Sequence, residues 1–433
     1  MLLEFQFQNY KSFHGATSFS MKAESEQHGL DYSLFEVAGD TKVLCCSAIY
    51  GSNAAGKTSI ISAMDAFRAI VRRGNIRNAD AISTANYAAS RLCLIPNQRV
   101  NQPEPVKFYI DFIVDDTRFQ YELVIDLGLF LDAEHERRVL SETLIVNSKT
   151  IFCRKCEGNK TALTVSPHPE LITMFSNVAI ANMANAASLA LDSLECDELF
   201  LTDGFKLIFS PTLVKMVTNW FATQFITLHQ HEMPTPVEVS EVLSKALDLF
   251  GARANPVTCF KDERSNIKLV SLISTQDNQQ VSLPAEVYES AGTLRFTKMV
   301  PLIVQAIQTG ATLVVDDCDI SIHPIALMDI INLFHNDELN TNHAQLIFTS
   351  HNPIFLNSNL LRRDEIKFVE RDSDDHSSSL YSLSDFGTGI GEDEDYLSRY
   401  LANVYGAIPD IDFSSLFETT TPQECDSKSN LPF

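Results

Sequence analysis

Basic side chains are scarce in this sequence. Thirty-three Lys and Arg stand against 56 Asp and Glu in 433 residues, a formal net charge of −23. Nucleic-acid phosphates are held by clustered Lys and Arg, so this deficit excludes a broadly basic binding face. One local cluster survives, Arg68, Arg72, Arg73 and Arg77, beside the plainer reading of a solvated helix face. Long apolar runs are lacking as well: none reaches the roughly eighteen residues of a membrane span. The opening MLLEFQFQNYKSF alternates apolar and polar residues and has neither the basic flank nor the apolar block of an export signal, so a cytoplasmic protein is expected. Heptads are missing, which excludes long coiled-coil arms, and no fixed-period repeat occurs. Paired metal-binding cysteine motifs are missing too. The nine cysteines are scattered, mostly in apolar runs such as Val43-Leu44-Cys45-Cys46, and read as reduced core thiols. Cys153 and Cys156 form a lone CxxC without a second pair or a histidine couple, a poor zinc candidate. No N-K-x-D segment is present to read a guanine base.

What is present suffices for a substantial core: 45% hydrophobic and 21% charged residues in a chain long enough for two or three compact units. Residues 2–7 alternate as a strand, and Val43 to Tyr50 read as a second, almost wholly apolar one. Ile60, Ala63, Met64, Phe67, Ile70 and Val71 then recur at helical spacing. The run 107–126 predicts two strands around an Asp115-Asp116 turn, and 165–250 turns helical. Strands return at Ile267–Ser274, Thr312–Val315, 345–350 and 366–370, with a long apolar helix after Ser290. The sequence predicts alternating α/β architecture.

The segment Gly51-Ser52-Asn53-Ala54-Ala55-Gly56-Lys57-Thr58-Ser59 fits G-x-x-x-x-G-K-[ST] at every fixed position, after an apolar strand and opening a helix. Glycines let the backbone curl so that its N–H groups and the helix N-terminus surround phosphate oxygens. Lys57 adds a point charge, and the Thr58 hydroxyl is a ligand for Mg²⁺. Such a loop needs an acid on a neighbouring strand to complete the metal site. Asp316, at the end of Leu313-Val314-Val315, suits that role. Asp317 then stands where the base that orients an attacking water belongs. His351, one residue beyond a strand and 34 after Asp317, is placed to sense the terminal phosphate.

With ESAGTLRF (289–296), VVDDCDISIHP and FTSHNP following the loop in this order, the chain resembles the ATP-binding cassette ATPases, in their soluble SMC-like and OLD-like branch. Within it the sequence is similar to the AbiL/RloA-like AAA-family ATP-binding proteins, on NYKSF (9–13), the 107–126 hairpin, 344–370, LYSLSDF (380–386) and YGAIPDI (405–411). The resemblance implies an α/β, ABC-type P-loop head domain with an N-terminal antiparallel β subdomain and a helical insertion, closing around ATP and Mg²⁺ as a homodimer or higher homo-oligomer. Its division would be an N-terminal lobe over 1–160, a helical insertion over 161–260, a C-terminal lobe over 261–417 and a disordered tail over 418–433. By the same resemblance, Ser290 and Gly292 would contact the γ-phosphate on a partner's loop. Asp319 and His323 would belong to the interface loop that follows the acids, and Lys11 would approach the nucleotide. Ser290 also reads simply as a helix N-cap, and both readings can hold together. Gln98 and Gln102 are the candidates for the glutamine loop.

Relatives carry Glu where this chain has Asp317. The shorter side chain loses about 1.5 Å of reach, and small displacements of a general base cost on the order of 100-fold. A slow ATPase with a long-lived closed dimer is the expectation. The resemblance further implies an antiphage, abortive-infection setting, with PARIS-type and Septu-type ATPases as neighbours and a separate nuclease, RloB-like or TOPRIM-type, as effector. Only 82 residues follow His351, without a nuclease pattern, so the effector is expected in trans, with a phage protein or nucleic acid as trigger. The alternative is a compact RecF-like or SMC-like DNA-repair clamp. A transporter cassette fits poorly, because the N-terminal hairpin and the YGAIP segment (405–409) are foreign to that class and the sequence has no membrane segment of its own.

Overall fold

The computed structural model describes all residues except 25–29, 38–40, 78–93, 98, 100–101, 130–134, 159, 229–256, 262–266, 275–278, 388–394 and 410–433. Gln98, the segment SEVLSKALDLF and the 418–433 tail therefore lie outside the described residues. No described helix is long and apolar enough to cross a membrane.

Two sheets organise the chain. A seven-stranded antiparallel sheet runs, edge to edge, through Lys160–Val165, Lys149–Glu157, Arg138–Val146, Thr117–Asp126, Val106–Val114, Leu2–Gln8 and Thr17–Ser20. Its central hairpin turns at Asp115 and Asp116, both in the left-handed region that short carboxylate side chains tolerate. A six-stranded sheet has the order Phe225–Leu228, Thr312–Val315, Gln345–Thr349, Cys46–Tyr50, Ile366–Arg371, Ser378–Ser382, parallel except for the last strand. The fold is mixed α/β, with an antiparallel N-terminal sheet beside a mainly parallel one.

Helix Lys57–Arg73 lies between the two sheets. Its stripe of Ile60, Met64, Phe67 and Val71 meets Phe5 and Phe108 of the antiparallel sheet and shares a core with Ile49, Val314 and Ile347 on one face of the parallel sheet. The alternate residues Ala48, Tyr50, Leu313, Val315 and Phe348 point to the other face, against helices Ala291–Thr309 and Pro324–His335. Strands covered on both faces read as continuous apolar runs, which is the pattern the sequence shows here.

Two local departures from the sequence reading have clear causes. The run Val43–Tyr50 is two strands, broken at Cys45. Thr41–Leu44 pairs antiparallel with Leu34–Val37, whereas Cys46–Tyr50 joins the parallel sheet, and one strand cannot serve both ladders. Within the stretch read as helical, Met183–Asp192 and Pro211–Asn219 are helices, but Phe225–Leu228 forms the edge of the parallel sheet. Four residues are too short a run to separate strand from helix by periodicity.

The helical segment is fastened to the antiparallel sheet by a fully buried carboxylate. Glu142 accepts hydrogen bonds from the backbone N–H of Phe200 (2.8 Å) and Leu201 (2.7 Å) and from the Tyr121 hydroxyl (3.1 Å), with Arg154 at 3.7 Å. Burial pushes its carboxyl pKa up, while Arg154 and the two N–H groups pull it back. Removing one partner of a buried pair strands the other. Glu142→Ala should therefore lower the unfolding free energy by about 3–5 kcal/mol in urea titration, and Glu142→Gln by less. A loss below about 1 kcal/mol for the alanine variant would contradict this anchoring role.

Candidate functional site

Parallel strands deliver their C-terminal ends to one edge, where open α/β sheets bind ligands. Here three neighbouring strands end in chemistry. Cys46–Tyr50 runs into the glycine loop, Thr312–Val315 into Asp316 and Asp317, and Gln345–Thr349 into Ser350 and His351. Because the histidine strand lies between the other two, His351 stands between the loop lysine and the acids.

The glycine loop wraps toward its own lysine. Lys57 Nζ donates to the carbonyls of Gly51 (2.7 Å) and Ser52 (3.0 Å) and to His351 Nδ1 (3.4 Å). An ammonium only donates, so its three hydrogens are spent and His351 Nδ1 is the acceptor. The ring hydrogen then sits on Nε2, which donates to Asp317 Oδ1 at 3.2 Å. Lysine, imidazole and carboxylate form one relay. Gly56, which precedes Lys57, has φ +123°, and a Cβ there would lie 2.7 Å from Ser378 Oγ. Ser378 Oγ in turn bonds Ala55 O (2.5 Å) and Ser12 Oγ (2.8 Å), tying the loop to the N-terminal turn.

Asp316 is held from three directions. Its Oδ1 accepts from Thr349 Oγ1 (2.8 Å) and Thr58 Oγ1 (3.3 Å), and its backbone carbonyl accepts from Arg295 (2.6 Å). Thr349 Oγ1 also accepts from the Asp317 N–H at 2.6 Å, which fixes that residue's turn at φ +50°. A hydroxyl and a carboxylate oxygen facing each other form a hard-oxygen pair that fits a Mg²⁺ with its remaining positions left to phosphate and water. Burial and the neighbouring Asp316 raise the Asp317 carboxyl pKa, against the pull of His351 and Lys57. Asp319 turns away from the cleft lining: its Oδ2 accepts from the N–H groups of His351 (3.1 Å) and Asn352 (2.9 Å), bracing the histidine turn.

The cleft itself has a volume of about 500 Å³, and its lining includes Lys11, Asn53, Lys57, Thr58, His351 and Arg371. Lys11 reaches it from the N-terminal turn, where its Nζ bonds Ser62 Oγ at 2.7 Å and its backbone N–H bonds Ile95 O at 3.0 Å. Ser52, Ala54, Ala55 and Ser59 complete the loop. Gln102 is exposed and does not line the cleft.

Ser290 and Gly292 stand apart from this cleft. Ser290 is exposed and caps helix Ala291–Thr309, its Oγ accepting from Thr293 N–H at 3.1 Å. A Cβ on Gly292 would lie 2.2 Å from the carbonyl oxygen of Ser321, so this position must be glycine for the helix to touch the loop after the acids. His323 caps the next helix through Ile325 N–H at 3.3 Å.

Sequence reasoning did not single out Thr349, Ser378, Arg371 or Arg295. Thr349 and Ser378 are ordinary strand residues whose hydroxyls matter only through long-range pairing. Arg295 was legible solely as part of the helix after Ser290. Two members of the arginine cluster have partners within the chain: Arg68 donates to Phe221 O (3.2 Å), and Arg77 pairs with Asp197 (2.6 Å) and Glu198 (2.9 Å). Cys153 and Cys156, an odd number of residues apart on one strand, face opposite sides and accept instead from Thr143 (3.5 Å) and Thr161 (3.6 Å).

Residues 225–357 match the family described as "AAA domain, putative AbiEii toxin, Type IV TA system". That span begins at the edge strand Phe225–Leu228 and closes just past His351, taking in Ser290, Gly292, Asp316, Asp317 and Asp319. Among solved structures the chain is similar to a crystal structure of the SMC head bound to the C-winged helix domain of ScpA. Identity is 14% and the TM-score 0.38, over 88% of this chain and 97% of that one. No curated protein matches the chain. Residues 225–357 are thus similar to an AAA domain, and the glycine loop at 51–58, outside that span, fits the phosphate-binding pattern of P-loop ATPases.

Burial lowers the Lys57 pKa to about 8, against the upward pull of Asp317, Asp316 and Asp319. Polyphosphate favours the charged ammonium and raises that pKa in the complex. Binding therefore takes up a proton only above the free-state value. Once the ionisation of inorganic triphosphate itself is measured and subtracted, its affinity should be flat below about pH 8 and fall as pH rises through it. Titration calorimetry in buffers of different ionisation enthalpy would show the uptake. Affinity that rises across pH 8–9 would contradict it.

Proposed function

We propose that this chain binds ATP with Mg²⁺ and hydrolyses it slowly at a head-to-head dimer interface, as the sensor and regulatory subunit of an antiphage system with a separate effector. The observation that carries this reading is the convergence of Lys57, Thr58, Asp316, Asp317 and His351 on one cleft edge, drawn from three strands. In it, Lys57 would exchange its loop carbonyls for the β- and γ-phosphates, and Thr58 with Asp316 would hold the Mg²⁺, whose chemistry when bound is to neutralise phosphate charge. Asp317 orients the attacking water and His351 positions Asp317.

Support for the dimer comes from Ser290, exposed and off the cleft, with Val287 (82% exposed) and Ile325 (63%) as uncovered apolar neighbours in sequence of the capping serine and histidine. Each chain would offer Ser290 and Gly292 to its partner's triphosphate, with the loop braced by Asp319 crossing the same interface. The toxin–antitoxin wording of the matched family supports a defence role. The internal pairing of Arg68 and Arg77 weighs against the DNA-clamp alternative.

Slowness follows from Asp317. The carboxylate is already engaged by His351 and is one carbon shorter than glutamate. In single-turnover assays, Asp317→Glu should hydrolyse ATP faster than wild type, by up to about 100-fold. Lys57→Ala and Asp316→Ala, co-expressed with the proposed effector from an adjacent open reading frame, should lose both hydrolysis and phage protection. Equal single-turnover rates would remove the short-base account, and intact protection in both alanine variants would remove nucleotide control.

A further inference from the structure

At the end of the parallel sheet opposite the cleft lies a second cluster that the phosphate chemistry does not use. Cys45 and Cys46 stand where the strand Thr41–Leu44 gives way to Cys46–Tyr50, His335 ends helix Pro324–His335, and Glu365 ends the turn leading into strand Ile366–Arg371. All four side chains are buried, none more than 3% exposed. The sulfur atoms of both cysteines and a ring nitrogen of His335 lie within 4.8 Å of one another. Glu365 Oε1 is 3.0 Å from His335 Nε2 and 4.0 Å from Cys45 Sγ. The other oxygen of Glu365 accepts from Arg362 N–H at 2.8 Å, which fixes the carboxylate with Oε1 facing the cluster.

We propose that Cys45, Cys46, His335 and Glu365 form a structural zinc site. Two sulfurs, one imidazole and one carboxylate make a complete tetrahedral donor set, with no position left for solvent or substrate. Thiolates select a soft ion over Mg²⁺ or Ca²⁺. Zinc–ligand bonds of about 2.0–2.3 Å give ligand–ligand edges of roughly 3.3–3.8 Å, so the Cys45, Cys46 and His335 donors close by about 1 Å. Glu365 Oε1 already stands near that spacing from His335 Nε2 and Cys45 Sγ and has further to close toward Cys46. The ion enters as the dication. The two thiols and His335 Nε2 give up their protons, and no electrons move. Once bound, zinc pins the base of the strand that feeds the glycine loop to its neighbour Ile366–Arg371 and to the helix that follows the acids.

The test is metal content of the full chain, expressed with zinc in the medium and purified with reductant but without chelator. About one zinc per chain should survive dialysis, be lost in Cys45→Ser/Cys46→Ser, and persist in Cys153→Ser/Cys156→Ser. Zinc-free wild-type protein, or zinc lost only from the second variant, would overturn the site. Should the first variant not fold, cobalt loaded into the wild-type chain decides. A thiolate-to-cobalt charge-transfer band with intense tetrahedral d–d bands is expected, and cobalt uptake without it, or no uptake, overturns the proposal.

Discussion

The arrangement depends on how one ammonium is satisfied. Lys57 spends its hydrogens on Gly51 O, Ser52 O and His351 Nδ1, so the glycine loop and the end of the histidine strand are fastened through a single side chain. Burial makes that ammonium costly to keep charged, as its lowered pKa shows. A triphosphate offers it stronger acceptors. In taking them, Lys57 would release the loop carbonyls and His351 Nδ1 in one exchange, and the imidazole, still bonded to Asp317, would transmit the change toward the acids. On the proposed function, loading of the cleft would thus be mechanically linked to the setting of Asp317.

Strand order makes this linkage short. Were the histidine strand at the sheet edge, its ring could not lie between the loop and the acids. Thr349, the last residue of that strand, acts in complement, since its one hydroxyl orients Asp316 and receives the N–H of Asp317. Asp319 braces the far side of the same turn through two backbone N–H groups. Every acid of the cluster is therefore tied to the middle strand or to the turn that leaves it.

Much of this was legible in the sequence because the signals are local. A glycine loop between an apolar strand and a helix is fixed by contiguous residues, and an acid at the end of an apolar run is nearly so. The two-stranded hairpin around Asp115-Asp116 was legible for the same reason. What escaped notice was long-range. Thr349 and Ser378 look like any strand residue until pairing brings them to Asp316 and Gly56. Phe225–Leu228 was absorbed into a helical stretch because four apolar residues carry no period. Cys45 was hidden inside an apparently continuous strand, and its break became visible only once two incompatible ladders met there. Gly292 was identified through resemblance, whereas its physical reason, the carbonyl of Ser321 pressed against it, exists only in three dimensions.

The central claim is that an otherwise self-satisfied loop opens for a magnesium-bound adenine nucleotide shared between two copies of the chain. Sedimentation velocity of the purified protein, with and without a non-hydrolysable ATP analogue and Mg²⁺, tests it most directly. The account predicts nucleotide co-sedimenting with a species of twice the monomer mass. Protein that neither retains the analogue nor changes mass, at protein and nucleotide concentrations well above micromolar, would contradict it.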